Sequence, residues 1–333
     1  MDKPRFSVIV PVYNRIGEVE DLMASLEAQT SKDFEVIIVE DGSTERCEEA
    51  VRRHPGVRSK YFYKENEGRS IARNYGMERA EGDYFIFFDS DCVIPPAYFE
   101  TLARELDSNP VDCFGGPDAA HESFTTTQKA INYAMTSLLT TGGIRGGKVS
   151  LEKFTPRTFN MGFSREVYDK VGGFREMFSE DIDMSTRIRN AGFSMALIRP
   201  AYVYHKRRID LGKFFRQVYV FGMSRITLHL LYPGSMKPVH TLPALAVIIG
   251  VILVLLGIFV SPWWLLPIGV YLAAIFVTAL VLTRSFVIAV KAVPASMIQI
   301  CGYGTGFIKA FFTKIILGRG RDIQEEILIR KGK

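Results

Sequence analysis

Residues 84–96 read YFIFFDSDCVIPP, an apolar and aromatic run that stops at Asp89-Ser90-Asp91. Two like charges that close repel, and ionised carboxylates are costly to desolvate without a partner. A positive group is required at the mouth of this strand. A divalent cation meets the requirement, because Mg²⁺ and Mn²⁺ favour carboxylate oxygens and are held by one or two of them plus substrate phosphates. An aspartate capping a helix opened by Pro95-Pro96 is the plainer use, and it accounts for one carboxylate, not two. A second acidic run, Ser179–Asp183 (SEDID), holds Glu180, Asp181 and Asp183. Acids also gather in the first turn of a helix, where the dipole favours them. Asp183 and Arg187 are four residues apart and meet on one helix face.

Strands alternating with helices must carry these groups. Phe6–Val12, Phe34–Val39, Tyr61–Tyr63 and Tyr84–Phe88 are β-branched or aromatic runs that read as strands. Glu18–Gln29, Glu45–Arg53 and Gly68–Ala80 read as the helices between them, with Val19, Leu22, Met23 and Leu26 at helical spacing in the first. Ile71, Ala72, Tyr75 and Met77 are the apolar positions expected in the third. The alternation predicts an α/β layer fold with a mostly parallel sheet. Ligands of such sheets bind beyond the carboxyl ends of the strands. Asn14, Glu40-Asp41 and Asp89-Asp91 all fall at such ends. Further on, a helix to about Leu106, helices at Arg165–Val171 and Asp181–Asn190, and short strands at Ser194–Ile198 and Tyr202–His205 are expected. The glycine-rich Thr140–Gly147, with Arg145, reads as a loop that could fold over a ligand.

The 333 residues leave room for more than one domain, and the charge is uneven along them. No Lys, Arg, Asp or Glu occurs from Pro238 to Thr283, long enough for two membrane spans near 240–260 and 263–283, with Ser261-Pro262 at the turn. Seven Lys or Arg against Asp210 alone lie between Lys206 and Lys237. Basic residues beside a span mark its cytoplasmic side and attract anionic lipid. Leu211–Tyr232 reads as an amphipathic helix on the membrane surface. A third apolar stretch, about 292–317, is expected to lie in or re-enter the interface, which leaves the basic tail 318–333 cytoplasmic. The N-terminus lacks the layout of a signal peptide. Cys47, Cys92, Cys113 and Cys301 lack zinc-site spacing and suit a reducing compartment. The expected organisation is a domain 1–209, an interfacial helix 210–237, a membrane region 238–317 and the tail, in the inner membrane and multi-pass, with the first domain in the cytoplasm.

Seven short motifs in order over about residues 5–205 carry a family likeness: PVYN (Pro11–Asn14), VEDGS (Val39–Ser43), ARN (Ala72–Asn74), FDSD (Phe88–Asp91), NMGFSR (Asn160–Arg165), GGF (Gly172–Phe174) and SEDID. The chain resembles the inverting family-2 glycosyltransferases with a GT-A fold. The resemblance implies a Rossmann-like α/β catalytic domain followed by the helical membrane region. It implies a nucleotide-diphosphate sugar donor and Mn²⁺ or Mg²⁺, with Asp91 on the metal and Asp89 facing the metal or the ribose. Asp41 would accept from the nucleobase, although an Asp-Gly turn also uses such a residue. Glu40 stands where the family often has Asp, which leaves its role open. Pro11, Tyr13 and Asn14 would line the base and ribose pocket, Arg73 would reach the base or phosphates, and Asn160 would lie at the sugar floor. His205 would be a further metal ligand, or a structural or phosphate-contacting histidine.

Inverting transfer is one in-line displacement, and it needs a carboxylate opposite the leaving group to take the acceptor's proton. The resemblance gives that role to Asp181, in the pair with Glu180. Gln217 stands where processive polysaccharide synthases have a Gln-x-x-Arg-Trp motif, but the Arg and Trp do not follow at that spacing. A transferase adding one sugar to a lipid-linked or other membrane-associated hydroxyl, in contact with membrane lipids and with no nucleic-acid partner, is the expected activity. A synthase using a polyprenyl phosphate as acceptor and a non-catalytic membrane adaptor are the alternatives. A phosphate acceptor needs no base, so the acidic pair speaks against the synthase.

Overall fold

A computed structural model of the chain describes residues 3–119, 124–141, 154–205 and 210–320. Gly142–Gly147 with Arg145, expected as a loop, together with Lys206–Arg208 and most of the basic tail, lie outside the described residues. The chain forms two compact units: Met1–His121 with Phe154–Lys206, and Glu122–Lys153 with Arg207–Lys333.

The first unit begins with β1 (Phe6–Val12), α1 (Ile16–Glu27), β2 (Phe34–Asp41), α2 (Glu48–Arg52), β3 (Ser59–Lys64), α3 (Arg69–Met77) and β4 (Tyr84–Phe87). Then come β5 (Cys92–Val93), α4 (Tyr98–Ser108), β6 (Cys113–Gly115) and β7 (Asp118–Ala119). After α5 (Thr126–Thr136) and α6 (Leu138–Thr141), which belong to the second unit, the first resumes. It adds β8 (Met161–Ser164), α7 (Arg165–Val171), α8 (Glu180–Asn190), β9 (Met195–Leu197) and β10 (Val203–His205).

Seven strands form one mixed sheet in the order β3-β2-β1-β4-β8-β6-β9. The four strands expected from the N-terminal pattern are its parallel half. Val8, Ile9, Val10, Val36, Ile37 and Ile38 are fully buried in it, as strands covered on both faces require. Each such side chain contributes about 1.5–3 kcal/mol on burial. The chain winds outward from β1 through β2 to β3, then returns to β4 on the other side of β1. The carboxyl ends of β1 and β4 therefore flank the switch point where such folds take ligands. β8 runs antiparallel to both β4 and β6, so the sheet is less uniformly parallel than the alternation predicts. That reversal sets Met161 opposite Phe87 and delivers Asn160 to the carboxyl end of β4.

The second unit contains α5, α6, α9 (Leu211–Leu231), α10 (Pro238–Phe259), α11 (Leu266–Thr283) and α12 (Phe286–Ala310). A 3-10 turn at Pro262–Leu265 joins α10 to α11, and a π-helical segment, Phe311–Ile316, extends α12. Pro238–Phe259, Pro262–Thr283 and Phe286–Ile316 are each long and apolar enough to cross a membrane. The third stretch is thus one continuous helix that starts before residue 292. Its glycines explain the packing. A Cβ on Gly306 would lie 2.0 Å from the Tyr219 carbonyl oxygen, and one on Gly222 would lie 2.1 Å from that of Tyr303. Absence of side chains lets α9 and α12 lie backbone to backbone. One face of α9 packs within the second unit, with Phe214, Val218 and Ile226 buried, while Phe215 is exposed.

Candidate active site

Each acidic motif reaches the carboxyl edge by a different local device. Asp89 lies two residues past β4, and the chain then enters the two-residue β5 at Cys92. β10 pairs antiparallel with β5, with His205 opposite Cys92. This pairing brings a histidine from far along the chain to Asp91: His205 Nε2 lies 3.1 Å from Asp91 Oδ1 and 3.9 Å from Asp89 Oδ2. The imidazole stacks on Phe159 at 4.8 Å between ring centroids. Asp91, Cys92 and His205 present ligand-type atoms within 4.8 Å of one another. Burial, with the charges of Asp91 and Asp89 adding to it, pushes the Cys92 thiol well up, so it stays a neutral and weak donor. Asp91 and His205 remain of the three, with Asp89 Oδ2 3.9 Å from the imidazole; this oxygen-and-nitrogen set suits Mn²⁺, and Mg²⁺ would take the carboxylate oxygens.

α3 supplies the cation that the DSD pair requires. Arg73 is fully buried. One terminal nitrogen donates to Asp89 Oδ1 and the other to Glu180 Oε1, each at 2.9 Å. Its guanidinium also lies over the Phe174 ring, 5.6 Å from the centroid. Arg69, one turn earlier, donates to Glu180 Oε2 at 2.9 Å. The neighbouring Asn74 binds the Phe174 backbone in both directions at 2.8 Å, donating to its carbonyl and accepting from its N–H. A Cβ on Gly173 would sit 2.4 Å from the Asn74 side-chain amide oxygen, which is why a glycine precedes Phe174. The ARN motif is therefore a clasp between α3 and the segment leading into α8. The buried face of α3 contains Arg73 and Ala72, whereas Ile71 and Tyr75 are only half-buried.

On α8 the three acids have separate partners. Glu180 takes Arg69 and Arg73. Asp181 Oδ2 accepts from Arg157 at 3.2 Å, and its Oδ1 accepts from the Ile182 N–H at 2.8 Å. Asp183 takes Arg175 at 3.1 Å and, as the spacing predicts, Arg187 at 2.9 Å. Burial raises the Asp181 carboxyl, but Arg157, the Ile182 N–H and the charge of Arg69 outweigh it, and the group lies below the ordinary value of 3.8. Ser179, just before the pair, has φ 64°, and Asn14 has φ 53°. Non-glycine residues in the left-handed region mark sites where surrounding structure holds the backbone against strain.

Several residues expected to face a nucleotide are already engaged. Asn14 accepts from the Thr44 N–H at 2.9 Å and hydroxyl at 3.0 Å, tying the ends of β1 and β2 together. Asp41 accepts from Lys64 at 2.9 Å and from the N–H groups of Glu67 and Gly68 at 3.0 and 2.9 Å. These bonds take three of a carboxylate's roughly four acceptor positions and leave about one. Asn160 is fully buried, accepting from Tyr98 at 2.6 Å and donating to the Ala201 carbonyl at 2.8 Å. Glu40 accepts from the Cys47 N–H at 2.9 Å and from the Tyr61 hydroxyl, holding the start of α2. Tyr13 is 51% exposed and Pro11 half-buried. Sequence reasoning missed Arg69 and Arg157. Arg69 had a signal: like charges at i and i+4 on one helix face repel, so Arg69 and Arg73 together call for an acid between them.

A family model described as glycosyl transferase family 2 matches residues 7–172. An uncharacterized glycosyltransferase of Rickettsia conorii is 44% identical over 110 residues, 33% of this chain and 18% of that protein. The uncharacterized glycosyltransferase EpsJ of Bacillus subtilis is 36% identical over 114 residues, 34% of this chain and 33% of that protein. The chain thus spans only a third or less of these relatives' lengths. Among solved structures, the mannosyltransferase PcManGT of Pyrobaculum calidifontis, in complex with GDP-Man and Mn²⁺, matches with a TM-score of 0.57. That match is 19% identical and covers 94% of this chain and 89% of that one, a likeness of fold.

Proposed function

From the premise that residues 7–172 are a glycosyl transferase family 2 domain with a GT-A fold, we propose that the protein is a membrane-anchored inverting glycosyltransferase. It moves a sugar from a nucleotide-diphosphate donor to a hydroxyl of a membrane-associated, polyprenyl-linked acceptor. The observation that carries the reading is the Arg73 bridge, which sets Asp89 and Glu180 on the two sides of one guanidinium. The bridge supports placing donor-side and acceptor-side carboxylates in one site.

Asp89, Asp91 and His205 would hold the divalent metal. When bound, the metal supplies electrostatic stabilisation of the leaving diphosphate. Asp181 takes the proton from the acceptor hydroxyl. A carboxylate at or below the ordinary 3.8 is ionised at neutral pH and able to accept; the lowering by Arg157 makes it a weaker base that stays ionised to lower pH. Glu180 is buried between two arginines, with 2% of its side chain exposed, whereas Asp181 keeps 15% of its side chain open to an acceptor. Arg69 and Arg73 fix the α8 start, and with it the backbone that carries Asp181. Tyr13, exposed at the end of β1, offers a ring face to the nucleobase. The basic flank of the first span and the helices apolar enough to cross support an inner-membrane enzyme with its catalytic domain in the cytoplasm.

Asp181→Asn tests the assignment. It is expected to abolish transfer and to retain binding of the nucleotide sugar, while Asp91→Ala weakens metal-dependent binding. Undiminished transfer by Asp181→Asn would remove the base.

A further inference from the structure

Length and composition allow α12 to be a third span, and the packing of the second unit argues otherwise. α10 and α11 meet at a charge-free apex around Ser261, where Trp263 and Trp264 are exposed. Indole rings there suit a membrane–water boundary. α12 touches both legs of this hairpin. Gly304 meets α10: a Cβ there would lie 2.6 Å from the Pro243 carbonyl oxygen and 2.7 Å from Val247 Cγ2. Ile288, Ala289 and Ala292 share a buried cluster with Ile275 and Ala279 of α11.

The positions of these contacts fix the geometry. Pro243 and Val247 lie eighteen and fourteen residues before Ser261, and Ile275 and Ala279 fourteen and eighteen after it. The legs are thus touched at equal distances from their apex. Along α12 the same contacts are twelve to sixteen residues apart, about 18–24 Å at 1.5 Å per residue. α12 is the base of a triangle whose other sides are α10 and α11. A hairpin that enters the bilayer apex first carries such a base parallel to the membrane plane. Were α12 to cross instead, its two contacts would differ in depth by about 20 Å, and legs of equal length could not both span.

The side chains agree on which helices take the hydrocarbon. Exposed apolar residues run the length of α10, and no charge occurs between Pro238 and Thr283. α12 and its extension carry Lys291, Lys309 and Lys314, with Gln299 and Ser296 buried. α9 lies along the C-terminal half of α12 through Gly222, Gly302 and Gly306. α5 lies along its N-terminal half, where Lys291 donates to the Thr126 and Thr127 hydroxyls at 2.6 and 3.1 Å. We propose that α12 is an interfacial crossbar joining the feet of a two-span hairpin, and that α5, α9 and α12 form a platform seated on the lipid headgroup layer. The inference needs α10 and α11 as spans and is independent of the transferase activity.

Site-directed labelling of the full chain in sealed vesicles of known orientation tests it. Phe286→Cys and Leu317→Cys mark the two ends of the crossbar, and Phe259→Cys marks the apex; all three positions are exposed. A membrane-impermeant maleimide is expected to reach positions 286 and 317 from the same side and 259 from the other. Labelling of 286 and 317 from opposite sides overturns the crossbar, and labelling of all three from one side overturns the hairpin beneath it. A fluorophore placed in turn at Val290→Cys, Cys301 and Phe312→Cys adds a second readout. Equal quenching by lipids brominated at one depth supports the crossbar, and a passage through the bilayer centre refutes it.

Discussion

Arg73 and Asp89 form an ion pair 2.9 Å long in which the arginine is wholly buried and the aspartate about a third exposed. The crowded carboxylates of the DSD turn thus have a protein cation on one side, and a metal is not their sole source of positive charge. The other nitrogen of Arg73 serves Glu180, 107 residues away in sequence. Removing one member of a buried ion pair costs about 3–5 kcal/mol, and Arg73→Ala is expected to lose that much on unfolding. Arg73→Lys keeps the charge, but an ammonium lacks the planar fork that holds two carboxylates at a fixed spacing. Its transfer rate should therefore fall further than its stability. Initial rates and thermal unfolding on the same preparation check this, and wild-type turnover by the lysine variant would show that the bridge does not set the geometry.

Arg157 makes a prediction about pH. Asp181 must be ionised to act as base, and its carboxyl lies below the ordinary 3.8 because Arg157, the Ile182 N–H and Arg69 outweigh burial. In Arg157→Gln the burial remains and the largest lowering contribution goes. The acid limb of kcat/KM against pH is expected to move upward. Stability shifts with the same sign. A folded pKa below the unfolded one stabilises the protein above the unfolded value, and that stabilisation is lost as pH falls through the folded pKa. The wild type should lose this increment below about pH 3.8 and the variant should have less to lose. An acid limb that stays in place in Arg157→Gln would detach Arg157 from the base.

The groups at strand ends were legible in the sequence, because a β-branched run followed by an acid states both the strand and its carboxyl edge. Phe6–Val12 and Arg165–Val171 are found at the expected residues. What joins these groups was not legible. Arg73 looks like a surface charge on a helix until α8 is folded against it, and its partners lie 16 and 107 residues away. Asn160 sits in a motif that suggests a ligand contact, yet its burial depends on β8 reversing direction beside β4. Gly302, Gly304 and Gly306 are the points where α9 and α10 approach α12, a fact about neighbours that one segment cannot carry.

His205 yields a prediction that separates ligand from scaffold. The imidazole stacks on Phe159 and faces both carboxylates of the DSD turn. In His205→Ala the affinity for Mn²⁺, read by the loss of free-ion paramagnetic resonance signal, is expected to fall tenfold or more, about 1.4 kcal/mol. Cys92→Ser should leave that affinity within about twofold, less than 0.5 kcal/mol, since burial already keeps the thiol neutral. Unchanged Mn²⁺ binding in the alanine variant would restrict His205 to a packing role.

The glycines of α12 give a prediction with its control in the same unit. A leucine at 306 must place its Cβ where the Tyr219 carbonyl oxygen lies 2.0 Å away, and backbone cannot rotate aside as a side chain can. Overpacking of this kind costs about 1–3 kcal/mol, and here α9 and α12 must separate to admit it. A Cβ on Gly250 of α10 would meet nothing within 4 Å, so Gly250→Leu adds apolar surface toward open space and improves helix propensity by about 0.8 kcal/mol. Thermal unfolding in detergent should therefore show Gly306→Leu several degrees below the wild type and Gly250→Leu at or above it. Equal behaviour of the two variants would mean that α9 does not pack on α12 at this point. It would also take from the platform a backbone contact that holds its C-terminal half together.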